Sequence, residues 1–349
     1  MAWKILGKLQ WCPPLKPSTA FPAEITMTES YFSGDTVDDV MRLVMQEIIL
    51  NGTRISPSQG PCTELLGVLM EIANPRSRLS VTETRGRPFS CLGELCWYLN
   101  GSNELSFIQH YIPEYERYAD DGVVIGGYGP RWLNWNGLNQ VELITSQLQE
   151  KPDSRQAVIQ IFDSADLVQK HKSIPCTCTL QFFLREERLH MFTNMRSNDV
   201  YIGLPHDVFA FTMLQEIIAR SLGVEMGTYK HAVGSMHLYD RNREAADNFL
   251  SEGWQSTRTA MSPMPSGNPW PAIRSFLKAE ELIRGGSPDV DLVGELDEYW
   301  ADLVRLLLVL HYFKEGDIAN MEVAKEDMAW APYRVYIERR IAILQGRSE

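Results

Sequence analysis

Thr179-Leu-Gln-Phe-Phe-Leu-Arg-Glu-Glu-Arg-Leu-His-Met-Phe-Thr-Asn194 sets two runs rich in β-type residues on either side of a polar interval. Residues 179–184 and 189–194 read as strands, and Arg185-Glu-Glu-Arg188 fits the loop of a hairpin. Ala157-Val-Ile-Gln-Ile-Phe162 is a third run of the same kind. Helical patterns mix with these strands. Phe89, Leu92, Leu95, Cys96 and Leu99 recur at helical spacing, which puts Glu94 beside an apolar stripe and predicts a partly buried carboxylate. A second helix is predicted to begin near Pro205, to run through Val208, Leu214, Ile217, Ile218 and Leu222 and to stop at Gly223, with Asp207 in its first turn. The expected fold class is α/β (α+β), a mixed sheet with packed helices.

Ser262-Pro-Met-Pro-Ser-Gly-Asn-Pro-Trp-Pro271 holds four prolines in ten residues, which disfavours both helix and central strand. It divides an expected catalytic domain, residues 1–255, from a proline-rich connection and helical appendage, residues 256–349, packed on the same domain. Within the appendage, residues 291–312 and 333–344 read as amphipathic helices, the first with Leu296, Leu303, Leu307 and Leu310 on one face.

The chain has 349 residues, 44% of them hydrophobic, with 33 Lys and Arg against 45 Asp and Glu. That is the composition of a globular protein rather than a disordered one. A net charge of −12 argues against a nucleic-acid coat. A small phosphorylated ligand needs only two or three well-placed arginines and stays open. Six cysteines, Cys12, Cys62, Cys91, Cys96, Cys176 and Cys178, are scattered through a chain too long to need disulfide staples, so reduced thiols are expected. The longest apolar stretch, residues 306–310, falls far short of the roughly 18 residues of a membrane span. Met1-Ala-Trp-Lys-Ile-Leu-Gly-Lys8 carries no export signal, and a cytoplasmic location is expected.

Candidate chemistry starts at Ile174-Pro-Cys-Thr-Cys-Thr-Leu-Gln-Phe182, where two thiols precede a predicted strand. Half a zinc site, two small core residues, or a nucleophile are all compatible with that pair. A nucleophile would need cations nearby to raise its thiolate fraction, and Arg196 and Arg155 are candidates. Arg54, Arg155 and Arg196 each sit beside turn-forming or hydroxyl residues, a pattern suited to a phosphate monoester and equally to solvated surface. His237 and Tyr239 lie two apart, on one face if the segment is a strand. They suit a sugar hydroxyl, or a core histidine beside a packing tyrosine. The other histidines form no metal set.

In order, Gly93-Glu-Leu-Cys-Trp-Tyr-Leu-Asn-Gly101, Tyr128-Gly-Pro-Arg-Trp132, Pro152-Asp-Ser-Arg155, Pro175-Cys176 with Gln181, Arg196-Ser-Asn-Asp199, Gly203-Leu-Pro205 and Gly234-Ser-Met-His-Leu-Tyr239 resemble the thymidylate synthase family, including its pyrimidine-nucleotide hydroxymethylase branch. The resemblance runs from about Arg54 to Asn242. It implies a homodimer with shared active sites, acting on a pyrimidine nucleoside monophosphate with 5,10-methylenetetrahydrofolate, a reduced folate, as co-substrate and no metal. Cys176 would attack C6 of the ring. Arg54, Arg196 and Ser197 would hold the phosphate, with Arg155 reaching over from the neighbouring subunit. Gln181 belongs to the same nucleotide-binding set, and His237 and Tyr239 would contact the ribose. Glu94 would organise water and proton transfer near C5, Tyr128 would assist there, and Asp199 would meet the pterin.

The departures from that family's pattern carry the specificity. Where its synthases have Gly-x-Pro-Phe-Asn, this chain has Gly203-Leu-Pro-His-Asp207. Asparagine suits the N3–H and O4 of uracil, whereas an aspartate suits the exocyclic amine of cytosine, ionised or as a protonated acid donating to N3. An ionised carboxylate facing O4 would set two acceptors together, at a cost of roughly 1–3 kcal/mol. Tyr115 and Tyr118 stand where tryptophans usually flank the folate, Thr177 where histidine usually follows the nucleophile, Gln156 in place of a second arginine, and Ser235 in place of an aspartate. The expected function is therefore a cytidylate (CMP or dCMP) 5-hydroxymethylase working through a Cys176–C6 adduct. A divergent thymidylate synthase methylating dUMP is the runner-up, and a non-catalytic nucleotide sensor the third reading.

Overall fold

The computed structural model describes residues 30–346; Cys12 and the Met1–Lys8 stretch lie outside them. The hairpin is formed by β5 (Thr177–Arg185) and β6 (Arg188–Asp199), with Leu184 opposite Leu189 and Arg185 opposite Arg188. Its loop is shorter than the expected four residues. Only Glu186 and Glu187 turn the chain, both left-handed at φ 51° and 57°, the conformation whose twist matches the flanking strands. Both arginines belong to the ladder, because polar residues end strands as readily as they fill loops.

Around this hairpin a mixed seven-stranded sheet forms among the described residues. β7 (Glu225–Tyr239) runs parallel to β6 and antiparallel to β3 (Cys62–Ile72). β4 (Val158–Gln160) closes one edge on β5, while β1 (Tyr31–Gly34) and β2 (Thr53–Ile55) both pair with β3. Along β6 the side chains of Leu189, Met191, Thr193 and Met195 are buried, and the alternate ones, His190, Phe192, Asn194 and Arg196, are half-buried or exposed. One face of the sheet is thus covered and the other open. Mixed strands and helices are as expected from the sequence.

Three helices position the site: α1 (Val37–Asn51), α2 (Pro88–Leu99) and α3 (Gly203–Leu222). α3 packs on β6 and β7, and α2 packs on α3. α3 starts two residues before Pro205, which is tolerated because the first helical N–H groups have no intrahelical acceptor. Asp207 consequently falls in the second turn, not the first. Gly223, at φ 70°, ends the helix as expected. On α2, a Cβ at Gly93 would lie 2.1 Å from Tyr111 Cγ, so only glycine admits this approach.

The chain beyond the proline-rich stretch folds back onto the same core. α4 (Trp270–Arg284) takes Pro271 into its first turn, and Glu280 on it accepts from the Tyr111 hydroxyl at 2.7 Å. The helix expected over 291–312 is interrupted: a single turn, Asp291–Gly294, precedes α5 (Glu298–Glu315), whose start is capped by the Asp297 side chain. Leu303, Leu307 and Leu310 are buried on α5, whereas Leu296 lies in the break. α6 (Tyr333–Leu344) has its expected extent, and Tyr336 and Arg339 on it donate to the carbonyls of Ser80 and Thr82, each at 2.8 Å. No helix among the described residues is long and apolar enough to cross a membrane.

The left-handed Glu186-Glu187 turn yields a prediction. Left-handed backbone costs an ordinary residue about 1–2 kcal/mol. The double substitution Glu186→Asn with Glu187→Gly should stabilise the fold by about 1 kcal/mol or more, seen as a higher urea midpoint at unchanged slope.

Candidate active site

Cys176 stands just before β5, where its carbonyl accepts from the Arg196 N–H at 2.8 Å and so joins the hairpin. The Arg196 guanidinium turns back over the same segment. Its Nε donates to the Pro175 carbonyl at 3.0 Å, and its Nη2 to the Ile174 carbonyl at 3.2 Å and toward Cys176 Sγ at 3.6 Å. Burial pushes the Cys176 thiol above its ordinary range; Arg196 pulls it down, and Asp207 and Cys178 push it further up. The resting thiol is protonated near neutral pH. Cys178 is the extra residue of a bulge, since Thr177 and Thr179 face the adjacent residues Met195 and Asn194. Cys62, Cys91, Cys96, Cys176 and Cys178 are all free, and no group of three or more His, Cys, Asp or Glu suited to a metal occurs among the described residues.

Beside the thiol lies a compartment lined by acids and phenols. Glu94 is 5% exposed and accepts at Oε1 from the Tyr98 hydroxyl, at 3.1 Å, and from the Tyr115 hydroxyl. Burial raises its pKa against the pull of those two hydroxyls. Asp207 accepts at Oδ2 from Asn198 Nδ2 at 2.6 Å. Burial first, and then the Glu94 charge, hold the Asp207 carboxyl well above the usual carboxylate range. The Tyr128 ring stacks on Tyr98 at 5.1 Å and on Phe211 at 5.8 Å. Its phenol is raised by burial and then by Asp207 and Cys176. Cys176, Glu94, Tyr128 and Asp207 therefore form one electrostatic cluster. Tyr98 and Asn198 belong to it without having been singled out in the sequence. Tyr98 had a signal, since it lies one helical turn from Glu94.

A second group lines the ends of β6 and β7, with Asp199 directly opposite His237 and Ser197 opposite Ser235. Asp199 Oδ1 accepts from the backbone N–H of Tyr201 and Ile202, at 2.8 and 2.9 Å. The His237 and Tyr239 rings meet edge-on at 4.8 Å, on one side of β7. Tyr118, one of the groups that push the Tyr239 phenol up after burial and Asp199, meets Tyr115 edge-on at 5.9 Å, which links this group to Glu94. Ser235 bonds to Glu64 of β3; a neighbouring strand thus supplies a carboxylate beside the position where the sequence lacks one.

The arginines diverge. Arg54 is exposed and ion-paired to Asp240 rather than free. Arg241, unnoticed in the sequence, lies over the Tyr239 ring at 4.0 Å and donates to the Gln59 carbonyl at 2.8 Å. Its signal was a cation two residues past the end of the Tyr239 motif. Arg155 is exposed at the sheet edge, with its carbonyl held by the Gln181 amide at 2.9 Å. Gln181 lies five strand residues from Cys176, roughly 16 Å, so a single chain does not bring Arg155 or Gln181 to the thiol.

The raised thiol predicts the pH dependence of its alkylation. A thiol reacts as thiolate, so Cys176 modification by iodoacetamide, read by peptide mass, should climb about tenfold per pH unit up to pH 9 without levelling off. Arg196→Gln should slow it at every pH below that. A plateau near pH 7 would contradict the burial argument.

The sequence model of the thymidylate synthase family matches residues 41–262, which include the thiol, the acid compartment and the β6–β7 group. With that match spanning more than half of its length, the chain belongs to the thymidylate synthase family, and its chemistry is one-carbon transfer to a nucleotide.

Proposed function

We propose that the chain is a cytidylate 5-hydroxymethylase, acting on CMP or dCMP with methylenetetrahydrofolate and water. The observation that carries this reading is Asp207, a half-buried carboxyl group bonded to Asn198 and held well above the usual carboxylate range, first by desolvation, where the family reads the base. A neutral acid offers one O–H donor and one acceptor. Set against cytosine, the donor meets N3 and the acceptor meets the exocyclic amine. Cys176 adds to C6, and C5 becomes the nucleophile. The folate, when bound, supplies one carbon at the oxidation level of formaldehyde. Replacing the C5 hydrogen by CH2OH then needs only water, and the sulfur leaves C6 as the ring is restored. Glu94, held by Tyr98 and Tyr115, is placed to order that water and carry its proton.

On this reading Arg196 and Ser197 hold the phosphate, Arg54 joins them once released from Asp240, and His237 and Tyr239 meet the ribose. Asp199 still has Oδ2 for the pterin, and Tyr115 and Tyr118 form the aromatic wall beside it. Residues 1–255 form the catalytic domain, with 256–349 as its helical appendage. A homodimer accounts for the open face of the sheet, where Phe183, Phe192, Lys230 and Glu71 line a shallow depression. It also accounts for Arg155, which would act with Gln181 from the neighbouring subunit. Free cysteines suit a cytoplasmic enzyme.

The neutrality of Asp207 also favours a second reading, dUMP methylation. The repulsion between a carboxylate and O4 requires the ionised form, and a neutral acid turned over can donate to O4 instead. Products decide between the two. Incubation with CMP, dCMP or dUMP and the folate should add CH2O to the cytosine nucleotide without dihydrofolate absorbance; dihydrofolate made from dUMP would overturn the proposal. Asp207→Asn should shift preference toward uracil by about tenfold or more, given 1–3 kcal/mol for a mismatched buried polar contact. Cys176→Ala should abolish product; retained ligand-dependent activity would mark a sensor.

Sharing of sites is open to a mixing experiment. Cys176→Ala chains combined with Arg155→Ala chains should regain roughly a quarter of the unaltered activity, the share of sites that random pairing leaves intact. No recovery would place Arg155 outside the partner's site.

A further inference from the structure

A neutral carboxylic acid has two like oxygens, and the one that carries the proton decides what the group reads. Cytosine presents an acceptor at N3 and a donor at position 4, whereas uracil presents the reverse. Exchanging the proton between the Asp207 oxygens therefore exchanges one base for the other. Whatever fixes the proton fixes the substrate.

Asn198 is the side chain in contact with that choice. It is 5% exposed on β6, directly opposite Met236 of β7, and its Nδ2 donates to Asp207 Oδ2 at 2.6 Å. The pair packs over Gly203, where a Cβ would lie 3.3 Å from Asn198 Nδ2 and 3.7 Å from Asp207 Oδ2. The carbonyl oxygen of a neutral acid is the better acceptor, so the bond from Asn198 to Oδ2 favours the acid proton on Oδ1. Turning the amide over would set its oxygen against Oδ2 and draw the proton there. That orientation is costlier. Asn198 Oδ1 is buried without a partner among the described residues, and the inverted amide would bury two N–H donors in its place. An unpaired carbonyl is better tolerated than unpaired N–H groups.

We propose that Asn198 is a specificity-determining positioning residue, whose amide fixes the order of donor and acceptor on Asp207 and thereby selects cytosine over uracil. The inference rests on the reading that Asp207 meets the base. It goes beyond it in assigning the choice to a pair of residues rather than to the aspartate alone.

The test is calorimetric binding of CMP and UMP without folate, so that turnover does not enter. The unaltered protein should prefer CMP. Asn198→Leu, close in size, should cut the CMP-to-UMP affinity ratio by about tenfold, given roughly 1–3 kcal/mol for a mismatched buried polar contact, with the circular dichroism of the folded chain retained. Asn198→Ala reads the same quantity if leucine prevents folding. A purely structural role would weaken both nucleotides alike, and an unchanged ratio in Asn198→Leu or Asn198→Ala overturns the proposal. Equal binding of CMP and UMP by the unaltered protein would overturn the cytosine reading itself, and this role with it.

Discussion

Two carboxyl groups, the buried Glu94 and the half-buried Asp207, share one compartment at the contact of α2 and α3, and neither has a cationic partner among the described residues. Ionised carboxylates within each other's field and out of water are costly. The structure meets that cost with hydroxyl and amide donors, Tyr98 and Tyr115 on Glu94 and Asn198 on Asp207. For both acids burial outweighs those bonds, and their pKa values rise. Carboxyl groups raised in this way hold a proton more readily than exposed ones, and such shifts are common where a site moves protons.

The rest of the fold holds this compartment in register. α3 is seated on β6 and β7, the strands that carry Asn198, Asp199 and His237. The β5 bulge at Cys178 lies two residues beyond Cys176, next to the point where Arg196 clamps the carbonyls before the thiol. α2 is held from behind: Tyr111 fits against Gly93, and its hydroxyl reaches Glu280 on α4. The segment before α2 is tied to α6 through Ser80 and Thr82. The helices after the proline-rich stretch thus buttress the helix that carries Glu94, and they share one hydrophobic core with the strands.

Periodicity made much of this legible. The two strands of the hairpin, the helix around Glu94 and the glycine stop of α3 follow from spacing alone. Long-range chemistry was not legible in the same way. Nothing local distinguishes a helix beginning at Gly203 from one beginning at Pro205, and that choice moved Asp207 from the first turn to the second. The break before α5 depends on Asp297 capping a new start, although the apolar pattern runs on across it. Arg54 looked free because its partner, Asp240, is 186 residues away. Asn198 was visible only as a letter inside a motif; its bond to Asp207 exists because the chain turns from β6 into α3 between them.

Several departures from the family's usual residues share a direction. Tyr115 places a hydroxyl on Glu94 from a wall where indoles are usual. Asp207 replaces an amide by an acid that can change its proton, and Ser235 hands its carboxylate neighbour to Glu64. On the proposed reading, each adds a hydrogen-bonding or protonatable group close to the reacting ring or its sugar. A site that passes a hydride gains nothing from extra protic groups, whereas one that adds water to an exocyclic carbon must orient a water molecule and dispose of its proton. On that reading the Glu94–Tyr98–Tyr115 set serves that second task, and Asn198 with Asp207 admits the base on which the task is done. On the proposed reading, base choice and water capture are two consequences of one change: a compartment that has exchanged apolar and amide surface for hydroxyl and acid.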